Sequence, residues 1–340
     1  MKVKSVLNLW GFSFFMKVEE GLNPPDLWEE VKRILLQIPK GRVTTYKAIA
    51  QALGDEIATR AVARMLASNP EPEKYPCYKV VKSDGTLGGY SLGVELKVKK
   101  LEAEGIRISN GKIEEFEKHC FTNFSSSKPL LVLKEEQKRI ASQVKLRRVK
   151  LPEDLIVAGA DVAYAADKAW AVVVVCDQNF EVLEISVHCS KPRFPYISTY
   201  LTYRELPILL PALRKLRSKP FAYFIDGNGI LHPRLAGIAT HLGVLLNLRT
   251  VGVAKRLLLG KIREGWIYLG DCRVGKEINI GGKQYYVSPG NEIDLVTSVE
   301  LVKRFSSGRK IVPLAYAHKL ANEAKRRWIG DGNESYHNLR

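Results

Sequence analysis

The pattern of apolar and polar positions changes character near the middle of the chain. Over 26–38, DLWEEVKRILLQI, the residues Leu27, Val31, Ile34, Leu35 and Ile38 recur at helical spacing, and Asp26 after Pro24-Pro25 supplies an N-cap. A short helix over 46–53 (YKAIAQAL) opens at Thr44-Thr45 and stops at Gly54. A second, over 58–68, ends at Asn69-Pro70. Two short helices about a glycine turn form a helix-turn-helix pattern, which presents its second helix to a DNA groove. From Phe121 the stretch FTNFSSSKPL loses periodicity and has the composition of a linker. A helix is expected over 135–149. Three runs rich in Val, Ile and Ala follow (LIVAGADVAYA, AWAVVVVCD, EVLEISVHC), separated by short turns at Ala166-Asp167-Lys168 and Gln178-Asn179, and predict a three-strand meander. FAYFID predicts another strand that breaks at Gly227, and helices are expected around 234–246 and 294–305.

A mainly α first half with a helix-turn-helix and an α/β second half therefore make two domains, which suits 340 residues. The divisions are an N-terminal extension (1–24), a first domain (25–119), a linker (120–130), a second domain (131–330) and a tail (331–340). The apolar stretch 6–16 imitates the core of a signal peptide, but it holds Asn8 and Gly11 and lacks a small-residue cleavage site, so translation starting at Met16 is an alternative.

Charge adds a partner. The chain carries a net +17, with 19 basic and 16 acidic residues in 1–125 against 34 and 20 in 126–340. A positive surplus concentrated in one half suits a polyanion, because each Lys or Arg facing a phosphate releases counterions. A merely basic, soluble surface is the competing explanation. No apolar run reaches the 18 residues of a membrane span. Five widely spaced cysteines without a CxxC pair argue against a disulfide framework or a structural zinc site, and for a reducing cytoplasm.

Cys77 lies in YPCYKVV, after the helix-turn-helix and before the glycine cluster SDGTLGGYS. A buried, inert thiol is the ordinary reading of such a cysteine, and its surroundings change that. IPKGRVTTYKAIAQALG, TRAVARMLASNP, PCYKVV, DGTLGGYS and LKVKKLEAEG, in that order over 38–105, resemble the DNA-binding domain of the O6-alkylguanine-DNA alkyltransferases, a winged-helix-like fold. The resemblance implies that Cys77 takes an alkyl group from guanine in double-stranded DNA, once and irreversibly. It implies that Tyr46 helps rotate the nucleotide, that Arg60 fills the gap left by the flipped base, and that Asn69 orders the loop leading to the site. Tyr90 and Ser91 would line the guanine pocket, and Glu104 would support the residue after the cysteine. The family's Pro-Cys-His-Arg is here Pro76-Cys77-Tyr78-Lys79. A phenol with pKa near 10 is a poorer base than an imidazole near 6.5, so thiolate formation would rest on Tyr78, Glu104, Lys79 or backbone dipoles. A module that binds alkylated DNA without transfer is the alternative.

In the second half Asp161 sits among apolar residues of a strand, where a carboxylate is costly without a purpose, and Asp226 ends a strand at Gly227-Asn228-Gly229. Two such carboxylates on adjacent strands can share a hard divalent cation, magnesium being the natural one with manganese as a substitute, and Glu205 in TYRELP offers a third. Scattered acids are ordinarily salt-bridge partners. AGADVAY, FPYISTYLTYRELP, FIDGNGILHPRLAGIATHLGV, TVGVAKRLL and YYVSPG over 133–328, however, together resemble endonuclease V, whose fold is ribonuclease H-like. The resemblance implies a metal-dependent nick at the second phosphodiester 3′ to deoxyinosine, with Asp161, Glu205 and Asp226 holding metal and His318 as the late active-site histidine. Tyr196 would belong to a strand-separating wedge, in which Ile197-Ser198-Thr199 replaces the usual Val-Pro-Gly. His232 and Lys255 would contact the scissile region, and Gly227 and Gly229 would admit the flipped base. His241 and the pair Tyr285-Tyr286 read as packed residues, and Lys325-Arg326-Arg327 as a solvated helix end. The sequence thus leads to a monomeric, bifunctional DNA-repair protein. An RNA-directed nuclease, or a nuclease with a non-transferring lesion sensor, are the alternatives.

Overall fold

The computed structural model describes residues 23–330; the apolar stretch 6–16 and the tail 331–340 lie outside the described residues. Those described form two compact units, Pro25–Glu135 with Phe194–Ser198, and 136–193 with 199–330.

The first unit is mainly helical. Helix α1 (Leu27–Leu35) is capped by Asp26, whose carboxylate accepts from the backbone N–H groups of Trp28 and Glu29. It buries Leu27, Val31, Ile34 and Leu35 on one stripe. Strand β1 (Thr44–Thr45) runs into α2 (Tyr46–Ala52), whose N-cap Thr45 accepts from Ala48 N–H at 3.0 Å. After it comes α3 (Thr59–Ala67). A single 3-10 turn, Cys77–Lys79, leads into β2 (Val80–Val81), which pairs in parallel with β1. Helix α4 (Val94–Ala103), the hairpin β3 (Ile108–Ser109) with β4 (Lys112–Ile113), and the short α5 (Phe116–His119) follow. The stretch with linker composition lies along α1: Ser125 and Gln37 exchange two hydrogen bonds, and Glu30 accepts from Ser126 and Ser127.

The next helix, α6, spans Pro129–Ser142 rather than 135–149. Its start is a proline, whose missing N–H costs nothing in the first turn, so the residue that resembles a breaker begins the element.

The second unit is built on a nine-stranded mixed sheet. Its strands are β5 (Ile156–Ala165), β6 (Lys168–Asp177), β7 (Val182–Ser190), β8 (Ala222–Asp226), β9 (Thr250–Ala254), β10 (Lys261–Arg263), β11 (Trp266–Leu269), β12 (Cys272–Ile280) and β13 (Lys283–Asn291), in the spatial order β10-β11-β12-β13-β9-β8-β5-β6-β7. The meander β5-β6-β7 is antiparallel, whereas β5, β8 and β9 run parallel at the centre. Helices α7 (Leu201–Arg214) and α8 (Ile238–Leu246) cover one face through Leu206, Leu209, Ala239 and Leu242. On the other face lie α9 (Leu295–Arg304), capped by Asp294, and α10 (Val312–Gly330), which follows the small hairpin β14 (Ser306–Ser307) with β15 (Lys310–Ile311). Ala317 and Ala321 lie buried against β6. A side chain on Gly159 of β5 would sit 2.3 Å from the Pro313 carbonyl carbon, so only glycine lets the start of α10 come this close to the sheet. Among the described residues no helix is long and apolar enough to cross a membrane.

Candidate active sites

In the first unit the chain brings several polar groups round Cys77, which is 4% exposed. Asn69, at the end of α3, donates through Nδ2 to the Cys77 sulfur at 3.2 Å and to the Tyr75 carbonyl at 3.0 Å. It therefore holds both the loop and the thiol. Burial pushes the Cys77 pKa up, opposed by the Asn69 hydrogen bond and the charges of Lys97 and Lys100. Burial, and then Cys77 itself, raise the pKa of Tyr46 and of Tyr90, the latter to about 12. The buried Tyr90 hydroxyl has no partner among the described residues. Ser91 and Arg60 are exposed, Arg60 on the first turn of α3.

Tyr78 donates to Glu104 Oε1 at 2.6 Å. The other Glu104 oxygen receives Lys79 Nζ and the Gly41 N–H, each at 2.9 Å. These partners hold the Glu104 carboxyl below the usual range despite its burial, so it stays ionised and acts as an acceptor. Burial and Glu104 raise the Tyr78 pKa well above that of an ordinary phenol. Tyr78 is thus a neutral hydrogen-bonding group at any physiological pH.

One neighbour was not read from the sequence. Lys97 on α4 is fully buried, and its ammonium donates to the carbonyls of Val80 and Leu87 at 2.6 Å and of Gly89 at 3.3 Å. Burial pushes its pKa down to about 8, while the charge of Cys77 acts to raise it. In VELKVKKLEA a lysine reads as one of several solvated cations, and nothing local marks it as the buried one.

In the second unit Asp161, on the α10 face of β5, and Asp226, at the end of β8, each offer an oxygen, and His318 on α10 a ring nitrogen, all within 4.8 Å of one another. His318 Nδ1 lies 2.6 Å from Asp161 Oδ2. Asn322 Nδ2 is 3.3 Å from the other ring nitrogen, which places the proton on Nδ1. Lys255 Nζ reaches Asp226 Oδ2 at 2.5 Å. Burial, then Asp226, raise the Asp161 pKa, and His318 and Lys255 oppose this. Two facing carboxylates with a histidine beside them are a donor set for a hard divalent ion. The cluster opens into a cavity of about 690 Å³ whose lining includes Asp226, Lys255, Tyr285, Lys310, His318 and Lys319.

Glu205 is not part of that cluster. It projects from α7, on the opposite face of the sheet, and Tyr164 of β5 donates to it at 3.2 Å. Burial, then Asp161, push its pKa up to about 8. His232 lies inside the fold. It is 3% exposed, accepts from Arg234 N–H at 3.2 Å, and donates through Nε2 to the Thr199 carbonyl at 3.0 Å. Burial takes its pKa down to about 3, so it stays neutral and props the Thr199 turn. Arg234 and Gln137 converge on the same carbonyl, and Thr199 takes φ +68°, a conformation a β-branched residue rarely adopts. At Gly229 the close neighbour is the chain itself, because an added Cβ would meet the Pro289 carbonyl oxygen at 2.1 Å. At Gly227 it would meet the Ile238 side chain. Tyr196 is 54% exposed.

Comparison with known proteins now defines the class. The Endonuclease V profile matches residues 138–319, and the DNA-binding domain of 6-O-methylguanine DNA methyltransferase matches 26–106. The catalytic domain of human Endonuclease V superposes with a TM-score of 0.55 at 29% identity, covering 61% of this chain and 99% of that one. The Endonuclease V of Ciona intestinalis, solved with a DNA containing inosine, superposes with a TM-score of 0.53 at 25% identity, covering 58% and 98%. A protein of Picrophilus torridus called a bifunctional methyltransferase/endonuclease is 41% identical over 86% of this chain and 95% of its own, and one of Thermoplasma volcanium with the same name is 37% identical over 87% and 89%. The chain belongs to this family of bifunctional methyltransferase/endonucleases, with an Endonuclease V module second.

Proposed function

We propose that the chain repairs DNA in two ways: it transfers an alkyl group from O6-alkylguanine to Cys77, and it nicks DNA at the second phosphodiester 3′ to deoxyinosine. The nuclease reading rests on one observation above all, the meeting of Asp161, Asp226 and His318 within 4.8 Å in a cavity lined by lysines. Asp161 and Asp226 would hold magnesium, or manganese in its place, which supplies an activated water and neutralises the leaving oxygen. His318 orients Asp161 and brings a proton to the same spot, and Lys255 pairs with Asp226 and meets the incoming phosphate. Glu205, whose carboxyl feels both Asp161 and Asp226, would add a third oxygen to the metal.

For transfer, the Cys77 sulfur forms a bond to the alkyl carbon while the carbon–O6 bond breaks. Its electron pair passes to the guanine, which recovers a proton, and the thiol proton leaves beforehand. Asn69 holds the sulfur, and the unpartnered Tyr90 hydroxyl beside it is a donor for a base.

Both activities are testable on the full chain. With a duplex bearing O6-methylguanine, intact mass should rise by one methyl group per molecule and no further, and Cys77→Ser should gain nothing. A wild-type mass that never shifts sinks transfer. With magnesium, an inosine duplex should be nicked, and Asp161→Ala should abolish nicking with folding intact. Undiminished cleavage by that variant refutes the site, and faster cutting of single-stranded inosine RNA would reassign the substrate.

A further inference from the structure

The register of the sheet connects the catalytic carboxylate to a surface that none of the expected roles includes. Asp226 pairs with Val253, Val253 with Val287, Val287 with Lys276, Lys276 with Trp266 and Trp266 with Arg263. Residues directly opposite in paired strands point to the same side. Asp226, Lys276, Trp266 and Arg263 thus lie in one row on one face, from β8 across to β10. A second row beside it pairs Lys261 with Tyr268 and Tyr268 with Arg273. The two rows alternate cations with aromatic rings.

These cations are held in place and left without counterions. Arg273 lies 4.4 Å from the Trp266 ring centroid, Lys276 4.1 Å from it, and Arg263 5.5 Å from that of Tyr268. Lys276 donates to the Glu264 carbonyl. Among the described residues no carboxylate pairs with Arg263 or Arg273, and both are exposed. Stacking fixes the guanidinium planes and leaves their N–H groups facing solvent.

We infer that the β10–β12 face binds the phosphate backbone of the DNA duplex flanking the site of cleavage. The occupant follows from the chemistry. The cations suit phosphates, and the two rings are already stacked under them, so a splayed single strand would find little free aromatic face. Five strand spacings of about 4.8 Å put Arg263 at most ~24 Å from Asp226, or about seven base pairs at 3.4 Å each. Sheet twist of roughly 20° per strand turns the far cations toward the flank of a duplex, away from the scissile phosphate.

The inference rests on the nuclease reading for the identity of the DNA, and its test is separable from that reading. Dissociation constants of the full chain for an undamaged duplex are measured between 50 and 200 mM salt, for wild type and for the double variants Arg263→Gln/Arg273→Gln and Arg263→Lys/Arg273→Lys. Two lost phosphate contacts should reduce the salt slope by about 1.8, so that the glutamine variant loses about twelvefold less affinity over that range, while the lysine variant keeps most of the slope. On inosine duplexes, nicking at saturation should be unchanged and KM raised. Shortening the duplex to about four base pairs on one side of the lesion should remove the difference. An unchanged salt slope in the glutamine variant overturns the inference. A wild type that binds with the full slope yet never nicks inosine DNA overturns the nuclease reading alone.

Discussion

Replacing Tyr78 by phenylalanine isolates what the phenol contributes at the alkyltransferase-type site. The substitution removes one hydrogen bond of 2.6 Å to Glu104, whose side chain is 12% exposed and keeps Lys79 and the Gly41 N–H. A bond to a charged group contributes about 1.5–3 kcal/mol, and the remaining partners favour the lower figure, about 1.5 kcal/mol. For a unit of this size that lowers its melting temperature by about 6–12 °C. Tyr78 does not ionise in the working range, so it acts by passing on hydrogen bonding, and the rate is set by the thiolate fraction of Cys77. Burial raises the Cys77 pKa; the reactive thiolate therefore grows with pH, and transfer should accelerate about tenfold per pH unit from 7 until the raised pKa is reached. The phenylalanine variant should keep that slope but run about tenfold slower throughout, the equivalent of one hydrogen bond of about 1.4 kcal/mol. Quenched time courses read by intact mass give both quantities, and inosine nicking, which lies in the other unit, serves as the control. Phenylalanine at wild-type rate and stability would refute a role for the phenol, and a flattened pH profile would show that Tyr78 had been the base. Tyr78→His should raise the rate near pH 7, because an imidazole near 6.5 accepts the thiol proton there.

Lys97→Met strands two buried carbonyls and a partly buried one and should destabilise the first unit by about 3 kcal/mol, read as the loss of its melting transition with nicking retained. Asp226→Asn should remove nicking without lowering thermal stability, because the Asp226 charge disfavours that of the buried Asp161; a fall of several degrees would contradict this. Thr199→Gly should be more stable than Thr199→Ala by about 1 kcal/mol in denaturant titrations, since both lose the hydroxyl that Arg234 donates to but only glycine is at ease at φ +68°.

Features that depend on residues close in the chain were readable from sequence. Asp26 and Thr45 cap helices because short oxygen side chains reach N–H groups two or three residues on. The meander followed from three β-branched runs between short turns. The start of α6 at Pro129 was not, because the same residue opens a helix or breaks one according to where the preceding chain goes. The burial of Lys97 and of His232 was not legible for a related reason. Their burial is decided by what other segments lay over them, three carbonyls in one case and the Thr199 turn in the other.

The placement of Glu205 shows how motif order can conceal layering. Asp161 and Tyr164 are three residues apart on one strand, so alternation sends them to opposite faces, the first toward His318 and the second toward Glu205. One strand thereby sends one side chain to His318 and another to Glu205. The Glu205 carboxyl, with its pKa near 8, feels Asp161 first among the charges, although it shares no ligand cluster with it. Proximity through a sheet, as distinct from proximity on one face, requires knowing which helix covers which side. The row from Asp226 to Arg263 carries the same lesson along the other axis. Its residues lie between Asp226 and Val287 in no helical or strand period, and only the pairing of six strands aligns them. The surplus positive charge of the second half, visible from composition, acquires a direction through that register.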